Sequence, residues 1–359
     1  MGWQHVVAWG GFLILVLAML TIDLFVLHRK PHAINMREAA LGTLVPVVGA
    51  LAFMAVVYLG YQNHWLDLGR VPGGVPAKDL DLYPTSGPDA AIAFLTGYVV
   101  ELSLSADNVF LFVVLMGFFK VPQALQHRVL FWGVLGALVM RAALILAGAS
   151  LLAKFHWLIY LFGAFILYAG VRMFFSDAAE ADPGKSWAVR MARRLLPLRE
   201  GYEGGNFFVR EGGRTLATTL LLVLVSIELT DLVFALDSIP AIFGITRDAF
   251  IVFTSNVFAI LGLRSMYFLL AGVIDRFHYL KLGLSGVLTF VGVKMVLPGL
   301  GTLYGMAAGG EHDWHVDKYV SLGVILALLG LSVAASLIWP RKEHVPQEQA
   351  GRVRAESRV

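Results

Sequence analysis

Residues 216 to 239 read LATTLLLVLVSIELTDLVFALDSI, and this stretch decides the fold. As a helix rising 1.5 Å per residue it would be about 36 Å long, enough to cross a hydrocarbon core of about 30 Å. Its aliphatic residues leave no wide polar face for water, so it reads as a helix immersed in lipid. Three carboxylates, Glu228, Asp231 and Asp237, interrupt it where a bilayer tolerates charge least. The rest of the chain agrees. Over 359 residues, 58% are apolar and 15% are charged, whereas soluble domains carry roughly a quarter charged residues.

Working outward, apolar stretches predict about nine spans, near 6–27, 38–60, 89–117, 127–152, 156–175, 216–239, 249–272, 281–299 and 318–339. The expected fold is an all-α polytopic membrane protein. Self-comparison adds an internal repeat. Phe155-His156-Trp157-Leu158 and Gly170-Val171-Arg172-Met173 recur, 122 residues on, as Phe277-His278-Tyr279-Leu280 and Gly292-Val293-Lys294-Met295. Arg141 and Arg264 lie 123 apart inside apolar spans, and Glu101 and Glu228 lie 127 apart two helices before the Phe-His blocks. Three consecutive helices thus occur twice. An odd number of spans per unit makes the second copy enter the membrane from the opposite side, the inverted-repeat design of many secondary transporters. The expected organisation is a helix pair with an external loop (1–88), a first three-helix repeat (89–175), a cytoplasmic loop (176–213), a second repeat (214–299), an external loop with the last helix (300–340) and a disordered tail (341–359).

Loop charge sets the expected orientation. Arg29, Lys30 and Arg37, then Lys120 and Arg128, then the run from Lys185 to Arg214 and the tail from Arg341 mark cytoplasmic segments. This places the amino terminus outside and the carboxyl terminus inside, in a membrane expected to be the bacterial inner membrane. Met1 to Val6 has no lysine or arginine and Asp23 ends the first apolar run, so that span reads as retained rather than as a cleaved signal. Within the long basic loop, Trp187, Arg190, Met191, Arg194 and Leu195 could form a short interfacial helix. Cysteine is absent, which excludes disulfides, thiolate zinc sites and thiol catalysis. No glycine-rich turn ending in Lys-Ser or Lys-Thr is present to cradle a nucleotide phosphate. Neither a prosthetic cofactor, nor nucleic acid binding, nor enzymatic activity is expected; the oligomeric state is not legible.

The acids carry the functional reading. The third span contains Glu101 and Asp107, and the sixth contains Glu228, Asp231 and Asp237. Each charge at the bilayer midplane costs from about 2.5 to well over 10 kcal/mol, so such a cluster needs cations, protons or water. Five ionised acids against Arg141 and Arg264 leave three excess negative charges, which suits a dication plus one proton. At about 100° per residue Glu101, Ser105 and Asn108 share one helix face, and Glu228 and Asp231 share another. Asp107 and Asp237 point elsewhere on ideal helices. A break at Pro240, which cannot bond to the Leu236 carbonyl, would turn Asp237 inward and free backbone oxygens as ligands. Such oxygen donors suit magnesium, calcium or manganese. Other readings stay open: acids paired with arginine as structural glue, a proton relay, a site for a small organic cation, or an assembly role without transport. Asp23 reads as a cap or arginine partner, His156 and His278 as interfacial anchors, and Glu311 to His315 as a solvated loop.

At these residues the chain resembles the TerC family of membrane proteins. Glu228-Leu229-Thr230-Asp231 through Asp237-Ser238-Ile239-Pro240-Ala241 looks like that family's signature, as does Phe250 to Arg264, and Glu101 to Asn108 is similar to its earlier motif. The resemblance covers roughly residues 6 to 340 and is nearest to the alkali-inducible, Alx-like branch. It implies manganese export, with Mn2+ as cargo and the acidic motif positions at Glu101, Asp107, Glu228, Asp231 and Asp237, with Asn108 and Asn256 as polar neighbours; without a nucleotide site, proton antiport is the expected drive. Two departures are Thr219, where proline is expected, and a longer connection from 61 to 88.

Overall fold

The structure, a computed structural model, describes residues 3–22, 36–71, 73, 75, 77–175, 184, 186–199, 201–271, 279–308, 314 and 316–339. The helices are α1 (Trp3–Ile22), α2 (Met36–Gln62), α3 (Gly87–Phe118), α4 (Gln123–Lys154), α5 (Leu158–Phe175), α6 (Trp187–Leu195), α7 (Thr219–Phe243), α8 (Ala249–Leu261), α9 (Leu263–Ala271), α10 (Leu280–Ala308) and α11 (Lys318–Ile338). Among the described residues nine stretches are long and apolar enough to cross a membrane, with α8 and α9 together forming one of them. The chain is therefore an all-α polytopic membrane protein, as its composition implies. Leu161, Leu331, Val139 and Ile14 point outward, which is where a bilayer rewards apolar surface.

The α8–α9 span lies at the centre, 83% buried against 11% for α2. Around it α3 packs on α8, α4 packs on α7, and α5 packs on α10. The α5–α10 crossing is set by glycine. A methyl at Gly170 would meet the Thr289 backbone nitrogen at 2.6 Å, and one at Gly292 would lie 2.7 Å from Leu167 Cα. Only a missing side chain lets two backbones come this close. Gly170 and Gly292 are 122 residues apart, and so are Leu167 and Thr289, so the two contacts exchange under the sequence repeat. At the periphery, Trp9 and Phe12 of α1 pack with Phe53 of α2 and with Phe250, Phe253 and Phe258 of α8.

Helix ends follow local chemistry. The Ser86 hydroxyl accepts from the Asp89 amide at 3.4 Å to cap α3, and Asp317 accepts from the Tyr319 amide at 2.7 Å to cap α11. Spans three and four are each longer than the apolar pattern suggested, because polar residues such as Gln123 and Lys154 continue the helix beyond the lipid-like core. The short amphipathic helix of the basic loop is present as α6. Ser186 caps it, and it buries Ala188, Val189 and Ala192 toward α7 while Trp187, Arg190 and Arg194 face out.

Two readings need correction. The expected break at Pro240 does not occur: α7 runs unbroken through it to Phe243. Pro240 removes one intrahelical bond, and the packed membrane helix tolerates that loss as α2 and α10 do at Pro46 and Pro298. The interruption lies instead in the next span, at Gly262 between α8 and α9, where glycine weakens the helix most after proline. The loop also holds a small hairpin that the apolar pattern could not reveal. Strands β1 (Phe208–Glu211) and β2 (Arg214–Ala217) pair antiparallel around Gly212 and Gly213, whose φ values of 55° and 79° fit a tight two-residue turn. Asp23, His278, Gly309, Glu311 to Asp313, His315 and the tail after Trp339 lie outside the described residues.

Candidate functional site

Glu101, Ser105 and Asn108 lie at i, i+4 and i+7 on α3, so they share the face turned to the interior, and all three are buried. Ser105 Oγ donates to Glu101 Oε1 at 3.0 Å. Arg141 enters from α4, 1% exposed, and joins four helices. Its Nη1 donates to Glu101 Oε1 in an ion pair and to Asn256 Oδ1 of α8 at 2.8 Å. Toward α7 it makes a fork, Nη2 to Asp231 Oδ1 at 3.0 Å and Nε to Asp231 Oδ2 at 3.4 Å. Planar guanidinium matches a carboxylate in this two-point way and lysine does not. A buried network of this kind adds little net stability, yet removing one partner costs about 3–5 kcal/mol because a buried charge is left uncompensated.

Three carboxylates converge on this region and one arginine answers them. Glu228 stands one turn before Asp231 on α7, beside a small cavity that also touches Asp231, Gly133, Val134 and Ala137. Its carboxylate rests against α4 where Gly136 has no side chain; a methyl there would overlap it, lying 2.6 Å from Cδ and 2.7 Å from Oε2. Among the described residues Glu228 Oε1 is buried without a hydrogen-bond partner, and so is Glu101 Oε2. With Glu101, Asp231 and Glu228 ionised and Arg141 charged, the cluster holds two excess negative charges. These are hard oxygen donors with spare lone pairs, beside a cavity the size of a small guest. Among the described residues no three acidic or imidazole side chains are already arranged as a metal shell. Arg141 takes four oxygens of Glu101, Asp231 and Asn256.

The remaining candidates are placed as follows. Asp107 belongs to α3, but its side chain lies outside the described residues. Asp237 of α7 is half-buried and makes no hydrogen bond or ion pair among the described residues. Arg264 is buried on α9, with Nη2 3.1 Å from His127 Nδ1 of α4. His156 has its Nδ1 3.3 Å from Nη1 of the buried Arg247. Sequence reasoning missed the seat that Gly133 and Gly136 form for Glu228, although two glycines at i and i+3 signal a close helix approach. It also missed Asp248, just ahead of α8. That carboxylate caps the helix through the amides of Phe250 (2.9 Å) and Ile251 (3.3 Å) and accepts the Tyr61 hydroxyl at 2.8 Å. Burial raises its pKa above the ordinary value, opposed in part by these bonds.

Such a bundle, with Glu101, Arg141, Asp231 and Asn256 buried together among α3, α4, α7 and α8, defines a polytopic membrane protein. The chain belongs to the TerC family of integral membrane proteins, whose sequence model matches residues 86–344. It is 44% identical over 342 residues to an uncharacterised membrane protein, STKORF319, of Myxococcus xanthus, covering 95% of each chain. It is 42% identical over 340 residues to Alx of Escherichia coli (strain K12), covering 94% of this chain and 96% of that one. To Alx of Salmonella typhi it is 43% identical over 326 residues, with 90% and 92% covered. Both Alx proteins are named for a proposed role as membrane-bound redox modulators. No solved structure matches the chain.

Proposed function

We propose that this protein exports a hard divalent cation, manganese foremost, across the bacterial inner membrane in exchange for protons. The observation that carries this reading is the set of Glu101 and Asp231, buried on a single arginine, with Glu228 beside them; two carboxylate oxygens of this set have no hydrogen-bond partner among the described residues. An excess of two negative charges is the complement of one dication. Carboxylate, amide and hydroxyl oxygens favour Mg2+, Ca2+ or Mn2+ over softer metals. Asn108, Ser105 and Asn256 supply further oxygens, and Asp107 and Asp237 are assigned to the same path.

The mutual exchange of contacts at the α5–α10 crossing supports an inverted repeat, and the basic loops support an outside amino terminus. Moving a dication outward against an inside-negative potential costs about 4.6 kcal/mol per 100 mV, twice the single-charge value, and proton entry supplies a drive that needs no nucleotide site. A role in redox modulation would follow from control of a redox-active metal; the chain has no thiol of its own for exchange.

The test is Mn2+ uptake into inside-out membrane vesicles. Glu101→Gln, Glu228→Gln and Asp237→Asn should each abolish uptake while the protein still inserts. Uptake at the normal rate by all three would refute the carboxylate path. Vesicle transport of a small organic cation with none of manganese would favour a different cargo on the same acids.

A further inference from the structure

We infer that Arg141 is the site's tethered counter-cation: it occupies Glu101 and Asp231 while the cargo is absent and must release at least one of them for a cation to bind. This rests on the cation-transport reading and adds a competitor to it. Four oxygens, Glu101 Oε1, Asp231 Oδ1 and Oδ2 and Asn256 Oδ1, receive hydrogen bonds from the one guanidinium. A hard dication needs several oxygens at once; Glu101 Oε2 and Glu228 Oε1 supply part of that set, and oxygens that Arg141 holds would complete it. Two cations on the same carboxylates repel, so occupancy by Arg141 and occupancy by metal oppose each other.

Arginine cannot step aside by losing its proton, because it stays charged at any pH a protein meets. It must move. The geometry shows where an incoming cation would first dock. Among the described residues Glu101 Oε2 is buried and unpartnered, and so is Glu228 Oε1, beside the small cavity that Asp231 also lines. Arg141 is held from α4 but grips α3, α7 and α8, so its release breaks polar ties from α4 to three neighbours together. In the empty site arginine then offsets one of the three carboxylates, and Glu228, outside that grip, is left to exchange with solvent protons.

The experiment is equilibrium Mn2+ binding to purified protein in nanodiscs at fixed pH, for wild type, Arg141→Lys and Arg141→Ala. Lysine keeps the charge, so Arg141→Lys serves if Arg141→Ala does not fold, but its single ammonium cannot fork. A resting grip that leaves the site competent a tenth of the time or less predicts that Mn2+ binds about tenfold more tightly in Arg141→Lys, and more tightly still in Arg141→Ala. Free guanidinium ion should weaken Mn2+ binding to Arg141→Ala and leave wild type unaffected. A folded Arg141→Lys that binds Mn2+ no more tightly than wild type overturns the inference, as does guanidinium acting equally on both proteins. Absence of Mn2+ binding in all three proteins, wild type included, overturns the transport reading itself.

Discussion

Gly136→Ala should separate the site's geometry from its charge. The added methyl falls on the Glu228 carboxylate, 2.6 Å from Cδ and 2.7 Å from Oε2, well inside van der Waals contact. Because the obstacle is the end of a flexible side chain, the backbone can stay and the carboxylate must shift. Overpacking costs about 1–3 kcal/mol, while replacing glycine by alanine inside a helix returns up to about 1 kcal/mol. The net loss is therefore up to about 2 kcal/mol, read as a lowered thermal midpoint in detergent. Function should suffer more than stability, since a displacement of about 1 Å in a positioned group can cost about a hundredfold in rate. Gly133→Ala is the control. Its methyl would lie 3.8 Å from Glu228 Oε1, an ordinary contact, so both stability and Mn2+ flux should hold. In a Glu228→Ala background the obstacle is gone and Gly136→Ala should cost nothing, a coupling of about 1–2 kcal/mol in a double-mutant cycle. A Gly136→Ala protein with wild-type stability and flux, or one equally destabilised without Glu228, would refute the placement.

Asp231→Ala should destabilise by about 3–5 kcal/mol, because Arg141 loses its fork while still buried, and Asp231→Asn should lose less, measured by thermal unfolding. Gly292→Ala should cost about 1–3 kcal/mol, since its methyl meets Leu167 backbone, whereas Gly286→Ala, 3.5 Å from Leu328 Cδ2, should be tolerated. For Asp248, burial raises the folded pKa, so the native state holds the proton more tightly than the unfolded chain. Its stabilisation is then greatest below the unfolded value near about 3.9 and fades as pH rises through the folded one. Asp248→Asn should therefore gain stability relative to wild type as pH rises toward neutrality, while Asp248→Ala should lose about 1 kcal/mol with the cap. In this cysteine-free chain, a cysteine at Ser86 should react with an impermeant thiol reagent from outside and one at Ser186 should not. The reverse pattern would invert the orientation.

The spans were legible because each is a long aliphatic run, and lipid leaves the backbone few alternatives to a helix. The face shared by Glu101, Ser105 and Asn108 was legible from helical spacing, and Glu101, Arg141, Asp231 and Asn256 do meet. Arginine's partners were not legible: Arg141 and Arg264 sit alike in sequence, yet one grips two acids and the other lies beside His127. Which side chain a buried arginine meets depends on helix rotation across neighbours, and no local pattern records that. Pro240 misled because a proline in a membrane helix need not end it: α2, α7 and α10 run through Pro46, Pro240 and Pro298 alike. The hairpin at 208–217 escaped because four-residue strands carry too little alternation, although Gly212-Gly213 was a turn signal.

The central claim is that metal leaves as protons enter through these acids. Its most direct test loads proteoliposomes of known orientation with Mn2+, imposes an inward proton gradient with the membrane potential clamped, and records metal loss and internal pH together. Metal efflux that acidifies the lumen, is abolished by a protonophore and disappears in Glu228→Gln is the predicted result. Efflux that leaves internal pH unchanged and ignores the protonophore would contradict the exchange.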